Sequence, residues 1–309
     1  MTTEPAPTPD RPDRDVPHGE RAPDDAGVPG PGVDAPLFTA HLEEGLDAAL
    51  RDLAGAGRLL VALDFDGVLA PIVVDPTASR ILPVSARALA DLAVLDGVDV
   101  VLVSGRNAAD LATLADVPDG TRVIGSHGAE LGRVTLTPDG QRGVDAEALS
   151  LSEDQAALRA ELLRETEELA AAVEGAWVQA KPAAVVLHTR PAAPEDGAEL
   201  TRRVLAGPAA HDGVHVVVGK EVVEMAVLAV TKGDAVTTLR SDVGADAVLY
   251  AGDDTTDEDA FAVLTGDDVG IKVGDGETLA GWRVADPEEF SAVLVRLAEL
   301  RQETSVTRS

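Results

Sequence analysis

Two acidic clusters dominate the chemistry available to this sequence. The first is DFDGVLAP at residues 64–71, which follows the wholly apolar run Leu59–Leu63. In extended chain, residues two apart point the same way, so Asp64 and Asp66 can face one site while Phe65 packs behind them. Gly67 lets the chain leave the strand sharply. Carboxylates so placed can divide the work of phosphoryl transfer. One ligates a hard cation such as magnesium and attacks phosphorus, and the other handles a proton. The ordinary alternative, a solvated Asp-Gly turn, is disfavoured by the apolar strand before it.

The second cluster is Asp253, Asp254, Asp257 and Asp259, again behind an apolar run and Gly252. Carboxylates crowded at one strand end repel each other unless a cation bridges them. Asp253 is the candidate for a direct metal ligand, with Asp254 and Asp257 either ligands or holders of metal-bound water. The competing reading is a helix start capped by Thr255 or Thr256, with Asp259 serving the helix dipole.

Two further signals complete a phosphoryl site. Ser104-Gly105-Arg106 joins an apolar run to a helical pattern, where a hydroxyl and the backbone N–H groups of a helix start bind an anion. Lys232, after Thr231, offers an ammonium to a phosphate, although a surface lysine is its ordinary role. His127 and His188 have no obvious proton to move and are expected to brace loops.

The elements that position these residues follow from periodicity. Short apolar runs at 59–63, 98–103, 123–124, 248–251 and 269–273 alternate with helical patterns at 85–95, 107–115 and 233–241. This predicts an α/β fold with a Rossmann-like doubly wound parallel-sheet core. A further helix is expected over 41–53. The middle differs. A long amphipathic helix over 153–173 precedes closely spaced strands at 177–180, 184–189, 214–218 and 222–227, with a hairpin at Gly219-Lys220. These predict an inserted α+β cap domain over residues 131–228. The core is expected over 37–130 and 229–309, behind a Pro- and Asp-rich disordered leader at 1–36.

Composition narrows the function. Aromatic residues make up 2% of the chain, so Val, Leu, Ile and Ala must build the core, as suits buried parallel strands. A formal net charge of −30 repels polyphosphate backbones, which argues against nucleic-acid binding. With no cysteine, disulfides and thiolate metal sites are excluded. No apolar run reaches membrane-spanning length, no signal-peptide pattern opens the chain, and a cytoplasmic location is expected.

Taken in order, Asp64-x-Asp66, Ser104, Lys232 and Asp253-Asp254 resemble the four motifs of the haloacid-dehalogenase-type phosphatases. The resemblance extends to the trehalose-6-phosphate phosphatases over about residues 59–290. It is carried by LDFDGVLAPI (63–72), SGR (104–106), GSHGAE (125–130), KPAAVVLHTR (181–190), GKEVVE (219–224) and GDDTTDEDAF (252–261). It implies a magnesium-dependent phosphatase that hydrolyses trehalose 6-phosphate through an aspartyl-phosphate intermediate. Asp64 would be the nucleophile and Asp66 the general acid/base. Asp64, the Asp66 main-chain carbonyl and Asp253 would hold Mg2+, while Ser104, Gly105 and Lys232 would bind phosphate. Glu130, Lys181, Arg190, Lys220 and Glu224 would contact sugar hydroxyls or close over the phosphate. Functional coupling to a trehalose-6-phosphate synthase is implied by the resemblance alone. Val68 stands where the family pattern has threonine, Thr189 where tyrosine is common, and Met225-Ala226 where many members have Arg-Pro. The competing functions are a capped phosphatase or mutase for another sugar phosphate, a phosphoacceptor signalling domain, and a non-catalytic sugar-phosphate-binding protein.

Overall fold

The computed structural model describes residues 44–147 and 150–308, so the expected leader at 1–36 and the start of the helix expected from 41 lie outside them. The first helix described is α1 (Glu44–Ala54), followed by β1 (Leu59–Leu63), α2 (Pro83–Ala93), β2 (Val98–Val103), α3 (Ala108–Leu114) and β3 (Arg122–Gly125). The chain then forms a hairpin of β4 (Glu130–Leu136) and β5 (Arg142–Ala146).

A second group of elements follows: α4 (Glu153–Ala170), β6 (Trp177–Ala180), β7 (Ala184–His188), α5 (Pro194–Ala206), β8 (His215–Gly219) and β9 (Val222–Ala226). The chain closes with α6 (Lys232–Val243), β10 (Ala247–Gly252), α7 (Glu258–Ala262), β11 (Val269–Val273), β12 (Trp282–Val284) and α8 (Pro287–Arg308).

The large sheet has the strand order β12-β11-β10-β1-β2-β3-β4-β5. Its strands from β12 to β3 are parallel. Because β1 is all aliphatic, it can bury both faces at once. Leu59, Val61 and Leu63 pack toward α1, α2 and α8, and Leu60 and Ala62 toward α6 and α7. Strand order runs outward in both directions from β1, so the crevice between the C-terminal ends of β1 and β10 is the topological switch point where ligands bind in such sheets.

The smaller sheet, β6-β7-β9-β8, is antiparallel throughout. Val185, Leu187, Val223 and Met225 point to one face and bury against Leu162 of α4 and Leu200 and Val204 of α5. Ser152 opens α4 with a reciprocal cap to Gln155.

One expected boundary moves. Residues from Leu131 were assigned to the inserted unit, but β4 and β5 extend the large sheet as an antiparallel edge. The alternation of β4 was too weak to mark its buried face: of its seven residues only Val134 is fully enclosed. The second group of elements therefore begins after Ala146.

Candidate active site

Asp64 is the first residue past β1, and Asp253 the first past β10. Strand pairing sets the two ends side by side, with Leu63 opposite Ala251. Ligand oxygens of Asp64, Asp253 and Asp257 lie within 4.8 Å of one another. Gly67 makes this approach possible. It adopts φ +75°, and a Cβ there would fall 2.0 Å from Asp253 Oδ2. Gly252 has a matching role, since its Cβ would lie 2.1 Å from Asp257 Cγ.

Lys232 opens α6, where Thr231 and Asp234 form a capping box. Its Nζ, closed to solvent, donates to Asp64 Oδ2 at 2.8 Å and to Asp257 Oδ1 at 2.7 Å. Burial acts to lower this ammonium, but the two carboxylates outweigh it and hold it above the usual lysine range. Burial pushes the Asp64 carboxyl well above the usual carboxylate range. Lys232 opposes that shift, while Asp257 and Asp253 add to it. Asp253 is raised to about 7, by burial first and then by Asp257 and Asp254.

Asp257 is the fixed hub of the cluster. Its Oδ1 accepts from Lys232 and from the Tyr250 hydroxyl at 2.7 Å. Its Oδ2 accepts from the Asp253 and Asp254 main-chain N–H groups, each at 3.0 Å. With these four bonds both oxygens are occupied in holding neighbours. Asp254 caps the following turn through Thr256, so the cap is Asp254 rather than Thr255 or Thr256, the two candidates of the competing reading.

The donor set of Asp64, Asp253 and the Asp66 main-chain carbonyl suits a hard divalent cation. It is all oxygen, and among the described residues nothing donates to the Asp66 carbonyl. Two like charges crowded at a strand end, with Asp253 pushed up to about 7, are the situation a bound cation relieves.

Asp66 points elsewhere. Arg106 clamps it with two bonds, Nε to Oδ2 at 2.5 Å and Nη2 to Oδ1 at 2.7 Å, and Ser79 Oγ donates to Oδ1 at 3.1 Å. The Arg106 guanidinium lies 5.7 Å from the centre of the buried Phe65 ring. Ser104 is buried at the end of β2, and its Oγ accepts from the Arg106 N–H at 3.2 Å.

The smaller sheet meets this end of the large one. Lys181 Nζ donates to the Gly105 carbonyl and to Glu224 Oε2, both at 2.8 Å. Glu224 Oε2 is also 3.7 Å from His127 Nε2. Burial works to raise Glu224, but His127 and Lys181 outweigh it and hold it below the usual range. His127 sits at φ +57° and packs on Gly105, where a Cβ would come within 2.5 Å of its ring. It thus reaches across to the second sheet, beyond the expected loop bracing. Glu130 turns into its own neighbourhood, accepting from Ser126 Oγ and from the Ala108 N–H. Arg190 pairs with Glu221 at 3.4 Å and is half exposed, and Lys220 is exposed in the turn between β8 and β9. Both lie beyond the His188 end of β7, away from Lys181.

Three neighbours of the site leave little or no local trace in the sequence. Tyr250 lies inside β10, Arg106 is visible only as part of the SGR motif, and Lys272, buried in β11, donates to the Asp254 carbonyl at 3.2 Å. A lysine within the otherwise apolar VGIKV run was the one signal present for Lys272.

The parallel sheet with its second α/β layer is a fold shared with a solved haloacid dehalogenase-like hydrolase of B. subtilis. The trehalose-phosphatase family pattern matches residues 62–287, and the chain belongs to that family. It is 33% identical over 263 residues to a bifunctional trehalose-6-phosphate synthase/phosphatase of Thermoproteus tenax, covering 83% of this chain and 34% of the relative. It is 34% identical over 253 residues to a trehalose-phosphate phosphatase of Mycobacterium avium, covering 77% of this chain and 62% of that one. The crystal structure of a trehalose-6-phosphate phosphatase related protein superposes with a TM-score of 0.62 at 27% identity, covering 81% of this chain and 100% of the other. The chain thus spans less than two thirds of the length of these two curated relatives.

Proposed function

We propose that this protein hydrolyses trehalose 6-phosphate to trehalose and phosphate. The observation that carries the reading is the buried Asp64 carboxylate at the switch point, flanked by Lys232 and Asp253, in a chain of this family. Asp64 attacks phosphorus in line with the departing 6-oxygen of the sugar, giving an aspartyl phosphate that water then hydrolyses. Lys232, the Ser104 hydroxyl and the Gly105 N–H offset charge on the phosphoryl oxygens. Asp64, the Asp66 carbonyl and Asp253 would hold magnesium, which would supply positive charge to offset that of the phosphoryl group. Asp254 and Asp257 support this set from behind.

Asp66 donates a proton to the leaving oxygen and later takes one from the attacking water. To do so it must leave Arg106, and the freed guanidinium is then available to a phosphoryl oxygen. Residues from about 147 to 228 form the cap, closing over the substrate to exclude bulk water. Lys181 and Glu224 meet the reacting sugar, while Glu130 shapes the floor beside it and Arg190 and Lys220 lie at the outer rim. The Thermoproteus tenax relative, named as synthase and phosphatase together, supports a synthase as the source of the substrate.

Phosphate release across a panel of sugar phosphates tests the reading. Trehalose 6-phosphate should be the preferred substrate, EDTA should stop turnover, and magnesium should restore it. Asp64→Asn should abolish release, and retained turnover in that folded variant would remove the nucleophile. Preference for a different sugar phosphate would replace the substrate while keeping the chemistry.

A further inference from the structure

Trp177 and His188 are register partners on β6 and β7, and their rings stack with centroids 3.9 Å apart and planes 8° from parallel. Trp177 is 48% exposed, and it is one of only two tryptophans in the chain. The stacked pair thus leaves one large apolar ring open at the surface of the smaller sheet.

Register shows which face it occupies. Gln179 lies opposite Val186, and Val186 lies opposite Glu224, so Trp177, Gln179, His188 and Glu224 project from the same side of the sheet. The other side is the one buried against α4 and α5. Glu224 and Lys181 are the residues of this sheet that reach His127 and Gly105 in the large-sheet layer. The aromatic pair therefore stands on the continuation of the surface that meets the phosphate end. His188 is one strand over and two residues along from Glu224, roughly 8 Å across the sheet, and Trp177 is one strand further, roughly 12 Å.

The chemistry of the pair suits a neutral ligand with apolar faces. Gln179 Oε1 lies 3.2 Å from His188 Nε2 and fixes the ring. Burial and the nearby Lys181 pull His188 down to about 4, which keeps the imidazole uncharged. Among the described residues nothing accepts from the indole Nε1, leaving a donor for a hydroxyl. Arg190 and Glu221 supply a polar rim just beyond. Flat carbon–hydrogen faces over an aromatic pair, with hydroxyls directed to a polar rim, form a site for a sugar ring.

We infer that the Trp177–His188 pair seats the second, phosphate-free hexose of a disaccharide phosphate and so sets the preference for two rings over one. This rests on the proposed substrate, in which the phosphorylated ring lies at Lys181 and Glu224 and the other extends outward along the sheet.

The test compares kcat/KM for trehalose 6-phosphate and for glucose 6-phosphate, which has only the reacting ring. Trp177→Ala should lower the first by about tenfold or more, through KM, and change the second by less than about twofold. Trp177→Phe, which keeps a ring, should recover most of the loss. Equal losses on both substrates, or none on either, would overturn the inference. A second readout needs no turnover. Trp282→Phe leaves Trp177 as the sole indole, and its emission should change saturably with trehalose in the magnesium-loaded enzyme; a flat response overturns the inference as well. Failure of the wild-type enzyme to cleave trehalose 6-phosphate strikes instead at the proposed function, and the fluorescence titration then judges the sugar seat by itself.

Discussion

Lys232 Nζ and Asp257 Oδ1 lie 2.7 Å apart with both side chains closed to solvent, and the same ammonium reaches Asp64 at 2.8 Å. One ammonium is thus shared between two buried carboxyl groups. Lys232→Met should leave both uncompensated and cost about 3–5 kcal/mol of stability. Phosphate release per folded molecule should fall by at least about 100-fold. Adding Asp64→Asn to that variant should return part of the stability and none of the activity. Urea unfolding of the single and double variants measures the coupling.

Gly67 and Gly120 offer a matched pair. Both have φ near +75° to +80°, but a Cβ at Gly67 meets Asp253 while one at Gly120 meets nothing within 4 Å. Gly120→Ala should therefore cost only backbone strain, about 1–2 kcal/mol, with activity intact. Gly67→Ala should displace Asp253 and raise the magnesium concentration for half-maximal activity by about tenfold or more. A magnesium titration of both variants reads the difference directly.

Glu224 joins Lys181 and His127 across the two sheets. Glu224→Gln keeps its shape and removes its charge. The expected outcome is a KM for trehalose 6-phosphate raised about tenfold, with kcat changed far less and thermal stability lowered by about 1–3 kcal/mol. Steady-state kinetics beside a thermal melt will show whether the two effects separate.

His188 predicts a pH effect. Its folded pKa, pulled down to about 4, lies below the ordinary value of 6.5. Between those two values the unfolded chain binds a proton that the folded one refuses. Stability conferred by the neutral ring is thus complete above about 6.5 and is lost as pH falls toward 4. Because the ring is only half buried, the loss should be on the order of 1 kcal/mol. His188→Gln should flatten that part of the curve, and an NMR titration of the wild-type imidazole should find its midpoint near 4.

Much of this site was legible before any fold was known. A strand buried on both faces has to be apolar, so the runs at 59–63 and 248–251 mark β1 and β10, and acidic residues follow each. Asp64, Asp253 and Lys232 converge because the switch point brings those ends together. The partner of Asp66 was not legible, since its clamp on Arg106 spans 40 residues and leaves no local trace. Tyr250 hid within a strand because a buried hydroxyl needs one distant acceptor and no pattern of its own. That β4 and β5 belong to the large sheet leaves no mark in the sequence, because an edge pair with mostly open faces carries too little apolar alternation to show which sheet it joins.

The bond from Lys181 to the Gly105 carbonyl ties one peptide plane beside Ser104 to an amine carried by another layer of the molecule. That plane carries the Arg106 N–H, so the second layer holds in one orientation the peptide that joins the Ser104-Gly105 turn to the arginine clamped on Asp66.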